Sequence, residues 1–105
     1  MAASDGTLVQ GALRGDGSAF AELYDRYDRL VRAVCFEATR DFDTAAELGQ
    51  EVFLRALQKL AQLRDPQRFA EWLVGIARHV GQEWRRGRLR VRRREGPLPD
   101  ELPAP

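Results

Sequence analysis

The chain has 105 residues, 44% apolar and 31% charged, with a net charge of +1; this allows one small globular core and excludes a disordered polyelectrolyte over most of the length. The longest uncharged apolar run, Trp72 to Ala77, is too short for a bilayer, and Met1-Ala2-Ala3-Ser4-Asp5 lacks the basic start and apolar stretch of a secretory signal, so no membrane insertion and a cytoplasmic location are expected. Cys35 is the single cysteine, which excludes an internal disulfide, and no Cys/His grouping has metal-ligand spacing.

Ser4 to Arg14 reads as a short first helix, with Thr7 and Gln10 at capping-box spacing and Leu8, Val9, Ala12 and Leu13 on one side. Gly15-Asp16-Gly17-Ser18 breaks it, and either Asp16 or Ser18 can cap the next helix. That second helix has the clearest periodicity: Phe20, Leu23, Tyr24, Tyr27, Leu30, Val31, Val34, Cys35 and Ala38 recur at three- and four-residue steps. Cys35 falls on that apolar side, where a buried, inert thiol is expected.

Asp43 or Thr44 is placed to cap a third helix that runs to about Leu63, with Leu48, Val52, Ala56, Leu60 and Leu63 as its core stripe. Phe53, Leu54 and Leu57 widen the apolar arc beyond what one buried face needs, so some of these side chains are free for a partner. Asp65 as N-cap and Pro66 at the first helical position restart the chain. A fourth helix then directs Phe69, Trp72, Leu73, Ile76, Ala77, Val80 and Trp84 inward until Gly87 weakens it.

Residues 76 to 94 carry eight Arg against the single Glu83, a basic block that suits a polyanion or a solvated tail. After Glu95, four Pro in ten residues preclude helix and suit the start of an extended linker, 95–105. No segment alternates as a strand, so residues 1–94 are expected to form an all-α domain, a small bundle of three main helices plus a short N-terminal one.

On the fourth helix Arg68, Gly75, His79, Gln82 and Arg86 share a narrow outward sector beside Trp72, with Glu71, Arg78 and Arg85 at its edges. Arg beside an aromatic ring suits nucleic acid, the guanidinium neutralising phosphate and the ring stacking an unpaired base; the same polar stripe also suits an ordinary solvated helix. His79 has no evident nucleophile or carboxylate partner for acid–base work, and neither a Gly-rich phosphate loop nor any other catalytic pair is present, so no enzyme activity and no cofactor are expected. On the third helix Glu47, Gln50, Glu51, Phe53 and Leu54 combine acids with apolar anchors, which describes an interface for a basic partner or, equally, solvated acids beside a buried Phe53.

In this order the pieces resemble region 2 of the extracytoplasmic-function group of bacterial sigma factors. The matching runs are Gly15-Asp16-Gly17-Ser18-Ala19-Phe20 with Leu23-Tyr24 and Tyr27, then Ala45-Ala46-Glu47-Leu48-Gly49-Gln50-Glu51-Val52-Phe53-Leu54-Arg55-Ala56, and Phe69-Ala70-Glu71-Trp72-Leu73-Val74-Gly75-Ile76-Ala77-Arg78. The resemblance implies that Glu47, Gln50, Glu51, Phe53 and Leu54 contact core RNA polymerase at the clamp helices of its β′ subunit. It further implies that the loop from Gln62 to Gln67 and the helix after it capture the non-template strand of the promoter minus-10 element, around a flipped base, with Arg64, Arg68, Trp72, Arg78, His79, Gln82, Arg85 and Arg86 as DNA contacts.

The sequence departs from the family pattern at Ala46, where an acid is usual, at His79, where Asn is common, and at Glu83, near which Asp is usual. The family carries a second, helix-turn-helix domain for the minus-35 element, and no such pattern follows Gly96, so a shortened or divided protein is expected. A stand-alone helical DNA-binding regulator, or an interaction domain held by an anti-sigma factor, are the alternative readings.

Overall fold

Ser4 starts the first helix, because its hydroxyl accepts the Thr7 N–H from an extended backbone. Thr7 therefore sits inside α1 (Asp5–Leu13) and does not cap it; its own hydroxyl meets Ser4 Oγ at 3.0 Å. The computed structural model describes residues 2–91, so Arg92 to Arg94 and the proline-rich 95–105 segment lie outside the described residues.

Asp16 caps α2 (Gly17–Thr39), its carboxylate accepting from the Ser18 N–H at 3.0 Å and the Ser18 hydroxyl at 2.6 Å. The helix ends at Arg40, in the left-handed region at φ 54°. Asp41, and neither Asp43 nor Thr44, caps α3 (Phe42–Lys59). Its carboxylate accepts from the Asp43 N–H and from the Thr44 hydroxyl at 2.6 Å, which gives a partner to a hydroxyl that is otherwise wholly buried.

The third helix ends earlier than its periodicity suggests. After Lys59 the chain tightens into a 3-10 turn, Leu60–Gln62, which keeps Leu60 in the core while redirecting the backbone. Asp65 then caps a second 3-10 turn, Pro66–Arg68, that runs directly into α4 (Phe69–Arg85), and Gly87 at φ 75° closes that helix.

The helix α2 is the central post, in contact with α1, α3 and α4. Leu23, Val31 and Cys35 from α2 meet Leu48, Val52 and Ala56 from α3 and Phe69, Leu73, Ala77 and Val80 from α4 in one core cluster. Burial pushes the Cys35 thiol up to about 11, in keeping with an inert core residue. The α2–α4 crossing is close because Gly81 faces Ala38, where an added Cβ would lie 3.0 Å from the alanine methyl. Phe69 anchors the start of α4, wholly buried, with its ring against Tyr27 on one side and Trp72 on the other. The described residues are thus all-α, four α-helices and two 3-10 turns, as expected from the sequence.

Candidate functional site

Two surfaces matter, the outer side of α3 and the outer side of α4 with the loop that precedes it. On α3, Glu47, Gln50, Glu51 and Leu54 line a recess of about 390 Å³, closed on its far side by Leu89, Arg90 and Val91. Leu89 and Val91 are half-buried against the core, so the segment after α4 forms a wall of this recess. Glu47 Oε2 is shut off from solvent without a hydrogen-bond partner among the described residues.

Phe53 does not belong to that surface. It is 4% exposed, packed edge-on to Phe20 at 6.4 Å and tilted on Tyr24 at 4.6 Å. Helical spacing explains the correction, since Phe53 lies four residues after Gly49 and three before Ala56, both on the side that meets α2 and α4. Beyond Phe42 at its first position, the exposed large apolar side chains of α3 are Leu54 and Leu57, 51% and 49% exposed.

Behind this helix Arg55 reaches across to α4. It bonds Glu51 at 2.8 Å within its own helix and pairs with Glu83 at 2.7 Å, and these carboxylates, Glu51 first, raise its guanidinium above the ordinary value. Glu83 Oε1 is out of contact with water, so this ion pair supplies its counter-charge, while Glu83 Oε2 lies 3.5 Å from His79 Nε2. Glu83 is therefore a structural strut between the two surfaces.

The residues expected to meet DNA do not form a single patch. The loop contributes a recess of about 460 Å³ lined by Gln62, Leu63, Arg64 and Asp65 together with Arg68, Glu71 and Trp72. A second recess, about 360 Å³, adjoins it between α3 and α4, where Trp72, Gly75, Ile76 and His79 face Arg55 and Lys59. Glu71 and Trp72 line both recesses, the Trp72 ring held at 5.9 Å from Phe69. Arg78, Gln82 and Arg85 lie across the helix, beside Glu37 and Ala38 of α2, in a separate groove of about 290 Å³. Helical periodicity gave their common outward direction, but only the positions of α2 and α3 divide them.

Charge pairing separates the cations further. Arg68 is tied to Glu71 at 2.5 Å, and that hydrogen bond raises its guanidinium above the ordinary value, so part of its charge is already compensated. Arg64, Arg78, Arg85 and Arg86 are exposed and make no ion pair among the described residues. Lys59 and Arg55, which periodicity did not place beside DNA, line the second recess; Lys59 ends α3 next to the loop, a signal of position that only the fold supplies.

Among the described residues no three His, Cys, Asp or Glu side chains converge as metal ligands. No described helix is long and apolar enough to cross a membrane.

The sigma-70 region 2 model matches residues 23–91, which takes in α2 from Leu23 onward, α3, the loop and α4. The chain belongs to the sigma-70 region 2 family. Relatives that it matches include the ECF RNA polymerase sigma factors BldN, SigX and SigW. It is 36% identical over 98 residues to the ECF RNA polymerase sigma factor BldN of Streptomyces coelicolor, a match covering 89% of this chain and 36% of that protein. It is 36% identical over 75 residues to the probable RNA polymerase sigma factor RfaY of Xanthomonas campestris (71% of this chain, 19% of that protein). The ECF sigma factor SigX of Bacillus subtilis is 32% identical over 75 residues (71% and 39%). The region 2 chain thus spans well under half the length of these relatives. No solved structure matches it significantly.

Proposed function

We propose that this region 2 chain is a transcription-initiation module that docks on core RNA polymerase through the outer side of α3 and holds the melted minus-10 element with the loop and α4. The observation that carries the reading is the set of arginines without an ion pair among the described residues, Arg64 in the recess walled by the half-buried ring of Trp72, and Arg78, Arg85 and Arg86 farther along α4 toward its C-terminal end. A flipped base stacks on Trp72 in the loop recess while the arginines neutralise the flanking phosphates; base extrusion costs a few kcal/mol, which stacking at about 1–3 kcal/mol per base and phosphate contacts offset. His79 and Gln82 contact the strand on either side of the helix crest.

Docking uses Leu54 as the apolar anchor, with Glu47, Gln50 and Glu51 around it to select the basic surface of the β′ clamp helices. The same face is where an anti-sigma factor would block the module. With these partners the site of action is the cytoplasm, and binding and strand opening replace any catalytic step.

The test separates the two surfaces. Leu54→Arg weakens capture of the β′ clamp helices by roughly tenfold or more and leaves binding of a single-stranded minus-10 oligonucleotide within twofold, because the residue is exposed and lines a different recess from Trp72. Trp72→Ala does the converse. Clamp binding indifferent to Leu54→Arg would refute the docking half. Tight duplex binding without preference for the non-template strand would point instead to a stand-alone DNA-binding regulator.

A further inference from the structure

The loop that lines the Trp72 recess is tied to α1 by one side chain. Gln67 Oε1 accepts the Gly6 N–H at 3.1 Å, and Gln67 Nε2 donates to Ser4 Oγ at 3.3 Å. The Gly6 amide is in the first turn of α1, where no intrahelical acceptor exists, so Gln67 acts as a second cap from 61 residues away. The contact depends on glycine, since an added Cβ at Gly6 would lie 2.4 Å from Gln67 Nε2.

Both ends of this tie are themselves held. The Gln67 N–H bonds Asp65 Oδ1 at 3.1 Å and the Arg68 N–H bonds the Asp65 carbonyl at 2.9 Å, so Gln67 sits between residues that line the loop recess. At the other end Asp5 is bonded by Arg26 at 2.8 Å and by the Tyr27 hydroxyl, which fastens α1 to α2. The family match begins at residue 23, so α1 lies outside it.

We propose that α1 braces the DNA-holding loop, with Gln67 and Gly6 as positioning residues that set the loop recess without touching DNA; the inference rests on the DNA-binding reading above. The brace keeps Arg64 and Asp65 at a constant distance from Trp72, so that the loop need not be ordered at the moment a base enters.

The full chain tests this through amide hydrogen exchange over residues 62–68 and the affinity for a single-stranded minus-10 oligonucleotide. Gln67→Ala removes both bonds, and Gly6→Ala displaces the Gln67 side chain while adding a better helix former to α1, so the fold is retained as the latch opens. Each is expected to speed exchange in the loop several-fold and to weaken oligonucleotide binding by roughly five- to tenfold, with β′ clamp binding unchanged. Gln67→Glu keeps the acceptor for Gly6 and restores slow exchange. If wild type binds the oligonucleotide and both variants bind it equally well, the brace is overturned although the DNA reading stands. If wild type fails to bind, the DNA reading falls and the positioning role with it, whatever the exchange shows.

Discussion

Cys35 and Tyr27 give the molecule a predictable weakness in alkali. The unfolded thiol ionises at its ordinary value of 9.0, whereas in the folded chain burial raises it to about 11. Above pH 9 the unfolded chain therefore loses a proton that the folded chain keeps, so the stability present at neutral pH is lost as pH climbs toward 11. The loss is on the order of 2 kcal/mol across that window. Tyr27, raised from 10.0 to about 12 by burial first and by Asp5 second, adds in the same direction at higher pH. Urea melts at about pH 8 and about pH 10.5 are expected to show this fall in wild type and a clearly smaller fall in Cys35→Ala. The same burial makes the native thiol resistant to alkylation, although periodicity alone indicates only its side of the helix.

Among elements, the α3–α4 pair is held by charge as well as by apolar contact. Arg55→Met leaves Glu83 Oε1 buried without its cation, and the expected cost is about 1–2 kcal/mol, below that of a fully buried pair because both side chains are about one-fifth exposed. Arg55→Met with Glu83→Gln is expected to recover most of it, measured by urea denaturation of the four members of the cycle. The helices themselves were legible in the sequence because their apolar stripes are long and regular. Their starts were less so: Asp41, Asp43 and Thr44 are three neighbouring capping types, and burial of the Thr44 hydroxyl against Asp41 decides among them. The sidedness of Phe53 was ambiguous for a related reason, because an apolar arc that includes Leu54 and Leu57 does not say which part meets α2. The Gln67 latch was invisible, since no local pattern links a loop glutamine to a glycine near the N-terminus.

For the whole molecule, the acidic α3 face and the arginines of the loop and α4 that have no ion pair among the described residues lie on different surfaces of one core. Oligonucleotide affinity is therefore expected to fall with salt, with a slope of about −0.7 per neutralised phosphate on a single strand. Arg78→Ala, Arg85→Ala and Arg86→Ala should each lower that slope by one phosphate equivalent or less, whereas Arg68→Ala, already paired with Glu71, should lower it least. Equal slopes for all four variants would refute this ranking. The expectation of a clamp-facing and a DNA-facing side followed from the resemblance; the further splitting of the basic residues into grooves on either side of α4 did not, because it depends on where α2 and α3 stand.

Leu89, Arg90 and Val91 give the α3 recess its far wall. The docking epitope proposed above is consequently discontinuous, assembled from two stretches about forty residues apart in the chain. A synthetic α3 peptide would present the acids and Leu54 yet offer a partner only half of the surface. Grafting α3 into another helical scaffold would transfer charge without shape, and a faithful mimic must carry the Leu89–Val91 wall as well.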